Sequence, residues 1–341
     1  MRPIIPILVA GAFVCACGPL ARAAAADQPV RMDDTTKKAT ARALEWLAAH
    51  QNKDGSWSDG GYQHNTAVTA FALLAFMSQG HLPGQGQYGP EVARGCRFLL
   101  AAARPRDGYL IGAHGGGNMG MYCHAMSTLA LAELWGMTAD LKIKPTLRKA
   151  LDLIVRCQNH EGGWRYQPNA YSDADISVTI MQVMALRAAK NSGLHVPDDT
   201  LKRAIAYIKS CHHPWSGGFV YQPHSGSPGF ARTAAGMCVL QLSGEYDAEQ
   251  IPKAVDYLKD NFHSRQYFWY GHYYAAHAMH QVGGKPWRDW YERLVSKLLP
   301  WQQADGSWSG DRGERVGPVY QTAIAVLALS VPMNYLPIYQ R

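Results

Sequence analysis

Two kinds of helical segment alternate along this chain. Residues 35–49 place apolar side chains at helical spacing opposite a charged face that includes Lys37, Lys38 and Arg42. Residues 65–79 also have helical composition, but they are almost free of charge. A helix that is apolar on most sides has to be buried on most sides. The alternation therefore predicts buried helices that are covered by more polar ones.

The same pair of helices recurs six times. The other amphipathic helices are predicted at about 91–103, 145–157, 198–211, 248–261 and 287–300. The other weakly charged helices are predicted at about 121–136, 174–190, 230–242, 270–282 and 318–330. Six pairs are enough to close a ring, whereas solenoids usually carry polar capping units at their ends. We predict an all-α fold, an α6/α6 toroid of six helical hairpins with an inner and an outer ring of helices, and keep an open superhelix as the alternative.

A short motif marks the turn inside each hairpin. Its clearest copy begins at Arg42-Ala43, continues through Trp46-Leu47 and Gln51, and ends at Gly55-Ser56-Trp57. Periods of about 40 to 55 residues are typical of repeated supersecondary units. The glutamine falls where helix carbonyls lack partners, the glycine permits a tight reversal, and the aromatic ring can pack back on the helix. We interpret these residues as structural fasteners.

The first 26 residues have the composition of a secretory signal peptide. Arg2 precedes an apolar stretch, Ile4 to Cys17, that is too short to span a bilayer, and Ala24-Ala25-Ala26 offers a cleavage site. A lipid-anchored N-terminus at Cys17 is the alternative. No later segment is long and apolar enough to span a membrane. We predict a signal peptide at 1–26, one toroid domain over 27–341, and export to the periplasm or the outside of the cell.

The charge and the cysteine content limit which classes of binding partner and which metal sites are expected. The 341-residue chain has a formal net charge of +7. Its Lys and Arg residues form no basic block interleaved with aromatics, so nucleic acid is not expected as a partner. Modest basicity leaves open a peripheral contact with an anionic membrane surface or an acidic polysaccharide. Of the seven cysteines five follow the leader, and Cys96, Cys157 and Cys238 fit buried free thiols. Because no Cys-x-x-Cys pair occurs, a structural zinc site is not indicated.

The motif copies Arg42–Trp57 and Lys149–Trp164 resemble the QW repeats of squalene and oxidosqualene cyclases and the related repeats of protein prenyltransferase β subunits. The resemblance covers nearly all of 27–341 and implies the toroid. Complement-type thioester domains and several polysaccharide lyases share that fold, so it does not fix the reaction. The resemblance also implies a chamber near the amino ends of the inner helices. Chamber residues are then expected at about 62–69, 121–128, 171–179, 228–235, 268–277 and 317–322.

One acidic segment opens the third inner helix. The stretch Tyr171 to Ser177 resembles the Asp-x-Asp-Asp-Thr motif of squalene-hopene cyclases, whose middle Asp protonates an alkene. The resemblance aligns Asp173 with the first Asp and Asp175 with the middle one, but Ile176 replaces the third. Such an acid needs neighbours that stabilise the anion left behind. The structural alternative makes Asp173 an N-cap and Asp175 a first-turn carboxylate favoured by the helix dipole.

The resemblance to prenyltransferases introduces a zinc site as a further hypothesis. Their Asp-x-Cys pair and a later His bind zinc, and here Asp175 occupies the Cys position while His272 or His277 would supply the imidazole. Since the thiolate is missing, the sequence requires no cofactor and supports zinc only weakly.

A run of glycines precedes the second inner helix, and a histidine lies near the beginning of that helix. Gly115-Gly116-Gly117-Asn118 lets backbone approach a ligand or makes a turn, and Tyr122, Cys123 and His124 follow. Cys123 and His124 point about 100° apart on a helix, which disfavours a thiolate–imidazole pair. The Gly-Cys-Gly-Glu-Gln string of thioester domains is absent. His124 either faces the chamber or is a packed imidazole with satisfied nitrogens.

The densest aromatic patch spans Tyr267 to Tyr274 and continues to His277. Its rings suit a polyprenyl chain, a carbocation or a sugar, and helix packing is the structural alternative. Arg232 is a charge at the start of an apolar helix, where it would bind an anion or pair with Asp173 or Asp175.

Three functions stay open. The first is an isoprenoid-handling enzyme, the second an exported polysaccharide lyase or hydrolase, and the third a non-catalytic toroid that binds a lipid, glycan or protein. The candidate catalytic residues are Asp173, Asp175, His124, His272 and Tyr273. The candidate ligand-binding residues are Arg232, Tyr122, Tyr270, Tyr320 and His277. Ile176 counts against the first function, and no specific motif supports the second.

Overall fold

The computed structural model describes residues 29–112, 119–310, 314 and 316–340, and within them it contains twelve α-helices and no β-strand beyond isolated bridges. This confirms the all-α prediction. The helices are α1 (Asp34–Ala49), α2 (Thr66–Met77), α3 (Gly89–Ala101), α4 (Gly120–Thr138), α5 (Lys144–Arg156), α6 (Ile176–Asn191), α7 (Asp198–Ser210), α8 (Phe230–Leu242), α9 (Gln250–Asp260), α10 (Phe268–Val282), α11 (Gly284–Leu298) and α12 (Pro318–Leu329). The predicted leader and Gly115-Gly116-Gly117-Asn118 lie outside the described residues.

The even-numbered helices form a closed ring. Each packs on the next in the order α2, α4, α6, α8, α10 and α12, and α12 returns to α2. Every residue of α2 except Ala67 is buried, as the uncharged sequence of this helix requires. The odd-numbered helices lie outside, with α3 between α2 and α4 and α1 between α12 and α2. The closed ring decides against the open superhelix.

The Gln–Gly–Trp residues tie each hairpin to the next. The Gln51 side-chain amide donates to the carbonyls of Gly55 (3.0 Å) in its own turn and Glu91 (2.9 Å) in α3. Arg94 of α3 donates in return to Gln51 Oε1 at 2.9 Å. The Trp57 indole donates to the Leu47 carbonyl (2.8 Å) at the end of α1. These bonds confirm the fastener interpretation and extend it to the neighbouring hairpin.

The last copy of the motif fastens to the first. The Gln302 amide donates to the carbonyls of Gly306 (2.9 Å) and Ala39 (2.8 Å), and Ala39 belongs to α1. Arg42 of α1 donates to the Ala304 carbonyl at 2.6 Å. The same contacts that join neighbours along the chain therefore also close the ring.

The structure also shows the state of the cysteines and the length of the apolar helices. Cys96, Cys123, Cys157, Cys211 and Cys238 are buried and free. None of the helices that the structure describes is both long and apolar enough to cross a bilayer.

We expect the turn glycines to be intolerant of a side chain. Gly162 has φ +95°, and a Cβ there would overlap the Arg203 backbone carbonyl of the next outer helix. Gly193 also has a positive φ (+83°) but nothing within 4 Å of such a Cβ. Gly193→Ala should lower the free energy of unfolding by about 1 kcal/mol through backbone strain alone. Gly162→Ala should cost about 2 kcal/mol more, because the overlap adds to the strain. Urea unfolding of both variants measures the difference, and equal losses would contradict the close approach.

Candidate functional site

The amino ends of the inner helices meet at one end of the ring, because each of these helices follows the same kind of turn. The amino ends of α4 and α6 each take a hydrogen-bond partner from the next hairpin. The Met121 N–H donates to the Tyr166 carbonyl (2.9 Å) and the Ile176 N–H to the Tyr221 carbonyl (3.0 Å). The turns that contain Tyr166 and Tyr221 are therefore bonded to the preceding inner helix, and their aromatic side chains lie at the amino end of the ring.

Asp175 is the N-cap of α6 and is fully buried. One carboxylate oxygen accepts the Val178 N–H at 3.0 Å, and the other accepts Arg165 Nη1 at 3.1 Å. Burial raises the pKa of the Asp175 carboxyl, while the Val178 N–H, Arg165 and the Tyr221 hydroxyl act in the opposite direction. The structural alternative named the wrong residue, since Asp175 caps the helix and Asp173 does not.

Asp173 lies at the surface with about half of its side chain exposed (51%). Its Oδ2 is 3.4 Å from Arg165 Nε and accepts the Gln222 amide at 3.2 Å. Arg165 thus joins both aspartates. Arg232, the partner considered from the sequence, instead donates to the Ser227 carbonyl at 2.9 Å. Sequence reasoning missed Arg165, although this residue directly follows Trp164 of the turn motif.

Four half-buried tyrosines surround this carboxylate, and we call them the tyrosine recess: Tyr122, Tyr166, Tyr221 and Tyr270. The hydroxyls of Tyr166 and Tyr221 are 2.6 Å apart, and the Tyr122 and Tyr166 rings are 5.9 Å apart. Burial raises the pKa of Tyr122 and Tyr270, and the nearby Asp175 charge adds to the shift in both. The structure therefore brings three predicted residues, Asp175, Tyr122 and Tyr270, into one site.

Buried rings close the floor of the recess. Tyr270 contacts Tyr274 with ring centroids 4.9 Å apart, and Tyr274 contacts Tyr273 at 4.7 Å. Phe71 of α2 packs edge-on against Tyr273 (6.0 Å) and Tyr320 (5.2 Å). The predicted residues Tyr273 and Tyr320 thus lie in the floor, beneath the four tyrosines.

His124 is fully buried and both of its ring nitrogens are engaged. Nδ1 accepts the Leu110 N–H and Nε2 lies 3.1 Å from the Ala150 carbonyl, each bond joining it to the outer layer. Burial lowers the pKa of His124 to about 4. Threonines fill the corresponding place in other hairpins, where their hydroxyls accept the N–H of the turn aromatic: Thr69, Thr179, Thr233 and Thr322. The geometry matches the packed alternative for His124.

The other two histidines lie away from the recess. His272 is enclosed by the rings of Phe230, Phe262, Phe268 and Trp290, and burial lowers its pKa to about 3. His277 stacks on Tyr339 at 3.4 Å near the opposite end of the ring. Within the described ranges, no three or more His, Cys, Asp or Glu side chains come together as a metal site. The structure thus assembles no zinc site from Asp173, Asp175 and a histidine.

Two buried carboxylates escaped the sequence analysis. Glu314 accepts the Tyr270 N–H at 2.9 Å, and Asp59 accepts the Tyr320 N–H at 2.8 Å. Burial raises the pKa of Glu314 to about 7 and that of Asp59 to about 6. Both stand in polar, glycine-containing turns, which from sequence are indistinguishable from solvated loops.

Comparison with known proteins agrees with this architecture. The family model of the prenyltransferase alpha-alpha toroid domain matches residues 26–201 and 199–260. A squalene–hopene cyclase of Bradyrhizobium diazoefficiens is 34% identical over 84 residues, which cover 21% of this chain and only 12% of the cyclase.

Solved structures share the fold at low identity. An inactive variant of an alpha-1,6-mannanase of Salegentibacter in complex with alpha-1,6-mannotriose superposes with a TM-score of 0.68 at 8% identity, covering 89% of this chain and all of that one (100%). A type II terpene cyclase of Scytonema in complex with geranylgeranyl dihydroxybenzoate gives 0.61 at 14% identity, covering 89% of this chain and 99% of that one. These likenesses concern the fold alone.

We expect Arg165 to stabilise the chain by neutralising Asp175. Arg165→Met should lower the free energy of unfolding by about 3 kcal/mol at pH 8, because it leaves a buried carboxylate without its cation. The loss should shrink as the pH falls, since the unpaired carboxyl, its pKa raised further, is then protonated in the fold.

Arg104→Met is the matched control for this variant. Arg104 also lies over a tyrosine ring (4.6 Å from the Tyr109 centroid) and also pairs with an aspartate (2.6 Å to Asp107), but about half of its side chain is exposed (48%). Its loss should cost no more than about 1 kcal/mol. Denaturant unfolding at pH 5 and pH 8 compares the two, and equal, pH-independent losses would refute the role of Arg165.

Proposed function

Because the chain belongs to the prenyltransferase alpha-alpha toroid domain family, we propose that its tyrosine recess binds an isoprenoid and that Asp175 is the acid that acts on it. The observation that carries the proposal is the buried Asp175 carboxyl, held by hydrogen-bond donors beside four tyrosine rings. Ring faces suit both the hydrocarbon chain and a positive charge that develops on it.

The donors around Asp175 support its role as an acid. Protonation of an alkene transfers the carboxyl proton to one carbon, with the π pair forming the new C–H bond, and leaves a cation on the other carbon and a carboxylate on Asp175. Arg165, the Val178 N–H and the Tyr221 hydroxyl stabilise that carboxylate. These donors would replace the third aspartate of the cyclase motif, whose position Ile176 occupies in this chain. Burial favours the protonated form before the reaction.

A glycan is the second candidate ligand. The recess presents hydroxyl groups as well as rings, and Asp173 and Gln222 add polar groups at its mouth. Sugar rings stack on such aromatic faces while their hydroxyls bind carboxylates and amides. A lyase mechanism has less support, because His124, His272 and Tyr273, the candidates for proton abstraction, are all buried in packing contacts. A non-catalytic toroid would bind either ligand without turnover.

Export and membrane contact remain part of the proposal. The composition of residues 1–26 supports a cleaved leader. Cleavage removes Arg2 and Arg22 and takes the formal charge from +7 to +5, which still supports contact with an anionic surface.

Ligand binding is the first test. We expect geranylgeraniol to bind the purified chain and to quench its intrinsic fluorescence, whereas alpha-1,6-mannotriose should not. Tyr122→Ala should weaken binding about five- to thirtyfold, since one aromatic contact contributes about 1–2 kcal/mol. Tyr246→Ala, the same change outside the recess, should leave the Kd unchanged. Binding of mannotriose without geranylgeraniol would replace the isoprenoid by a glycan.

Asp175→Asn tests the acid. Asn65 caps α2 by accepting the Ala67 and Val68 N–H groups, so an asparagine can hold this kind of helix end. The variant should therefore stay folded and bind geranylgeraniol, while turnover of a polyprenyl alkene, followed by mass spectrometry of the products, should fall at least about a hundredfold. Asp33→Asn makes the same change at the N-cap of α1 and should not alter turnover. Unchanged turnover in Asp175→Asn would remove Asp175 from the mechanism.

Export has its own test. N-terminal sequencing of the protein from its natural host should find a chain that begins near Asp27. A chain that retains Met1 would contradict cleavage.

A further inference from the structure

Residues 331–340, which we call the closing segment, fold back into the carboxyl ends of the inner helices. The segment turns at Asn334, whose φ is +51°, and then forms the short 3-10 turn Pro337–Tyr339, which contacts α4 and α6. Leu336, Ile338 and Tyr339 are each at most 3% exposed. These three side chains therefore anchor the segment in the end of the ring that lies opposite the tyrosine recess.

Helix α10 holds the last residue of this turn by three contacts. The Tyr339 ring stacks on His277 with centroids 3.4 Å apart and an interplanar angle of 7°. Its hydroxyl bonds to the Tyr273 hydroxyl, and its carbonyl accepts the Gln281 amide. Tyr273 is also a floor residue of the recess, so one ring separates the closing segment from the candidate site.

Helix α4 contributes a carboxyl group to the same contact. Glu133 is 1% exposed, and its Oε2 accepts the Ile338 N–H at 3.2 Å. It is the only acidic residue in α4, which is otherwise uncharged apart from the satisfied His124. A carboxyl group is thus buried at the junction between the ring and the closing segment.

Among the residues that the structure describes, no cation pairs with Glu133. The titratable groups packed around this junction are Tyr273, His277 and His280 of α10, Cys238 of α8 and Tyr339 itself. Burial lowers the pKa of His277, the neighbouring His280 lowers it further, and His277 is therefore neutral. Of the two cations of α6, Lys190 pairs with Asp198 at the surface and Arg187 interacts with Tyr246. Helix α2 carries no titratable group. Burial therefore raises the pKa of Glu133 to about 8.

We propose that the closing segment is a proton-controlled plug, which seals the carboxyl end of the ring while Glu133 is protonated and is released when Glu133 ionises. The inference does not depend on which ligand the recess binds, so it stands apart from the proposed function. Release exposes Glu133 to water and removes the hydroxyl contact that supports Tyr273 in the floor of the recess.

The direction of the pH dependence follows from linkage. Docking takes the carboxyl from water, where its pKa is near 4.5, to a site where the pKa is about 8, so docking takes up a proton between these values. Docking is strongest below pH 4.5, weakens as the pH rises towards 8, and levels off above it. Between pH 6 and pH 8 the docking equilibrium should fall about fiftyfold.

Hydrogen exchange of the full chain measures this equilibrium. After correction for intrinsic exchange rates, protection of a peptide covering 331–340 should fall about fiftyfold between pH 6 and pH 8. In Glu133→Gln the carboxamide still accepts the Ile338 N–H but cannot ionise, so protection should be high and independent of pH. Glu45→Gln, the same change at an exposed position of α1, should keep the wild-type dependence.

A second variant keeps the test decisive if Glu133→Gln misfolds. Tyr339→Phe removes the hydroxyl contact with Tyr273 and should lower protection of the segment at both pH values by the same factor, leaving the pH ratio unchanged. The proposal is overturned if wild-type protection does not depend on pH after correction. It is also overturned if folded Glu133→Gln retains the fall, or if Tyr339→Phe abolishes the pH dependence. These measurements follow the closing segment without any ligand, whereas the binding test follows geranylgeraniol, so the two proposals fail separately.

Discussion

The buried end of an inner helix must find hydrogen-bond partners without the help of water, and the rest of this toroid follows from that requirement. The amino end of α4 takes its partner from the turn of the third hairpin, that of α6 from the fourth, and that of α12 from the first. The outer layer repeats the arrangement through Gln51 and Gln302. Each hairpin is therefore completed by its neighbour, and an open row of hairpins would leave one end without partners. Ring closure is the condition under which all of these groups are satisfied together.

The same requirement places carboxylates at the amino ends of the inner helices. Backbone carbonyls serve at the ends of α4 and α6, but carboxylates serve at the ends of α10 and α12, and Asp175 adds its own cap to α6. A capping carboxylate accepts N–H groups, which favours its anion, and loses water, which disfavours it. Where burial prevails, as at Glu314 and Asp59, a structural cap acquires a pKa near neutrality. Capping and acid chemistry are thus two uses of one geometry, which is why Asp175 has a structural role whether or not it is catalytic.

The sequence predicts the layers of this fold well because they depend on local pattern. The absence of charge in 65–79 is enough to identify an inner helix, and the observed α2, Thr66–Met77, lies within that range. Side-chain partners across hairpins are a different matter. Arg165 reaches Tyr221, and Glu314 reaches Tyr270, only when neighbouring hairpins pack together, and neither residue has a periodicity that marks it. His124 had a usable signal, since it occupies the register in which Thr69 and Thr179 accept the N–H of a turn residue. Aligning the turns as well as the helices would have identified it as a packing residue.

The filled floor limits what the recess can do with a ligand. A chamber that folds a whole polyene needs an open interior, but here Phe71, Tyr273 and Tyr274 meet across the ring and Tyr339 backs them from the far side. Under the proposed function, an isoprenoid bound beside Asp175 would therefore lie over the surrounding turns and not inside the ring. The physical difference from a chamber that encloses its substrate is therefore the occupancy of the centre: side chains of the protein itself take the space that a folded substrate would need, and the fold keeps the mouth of the site without its interior.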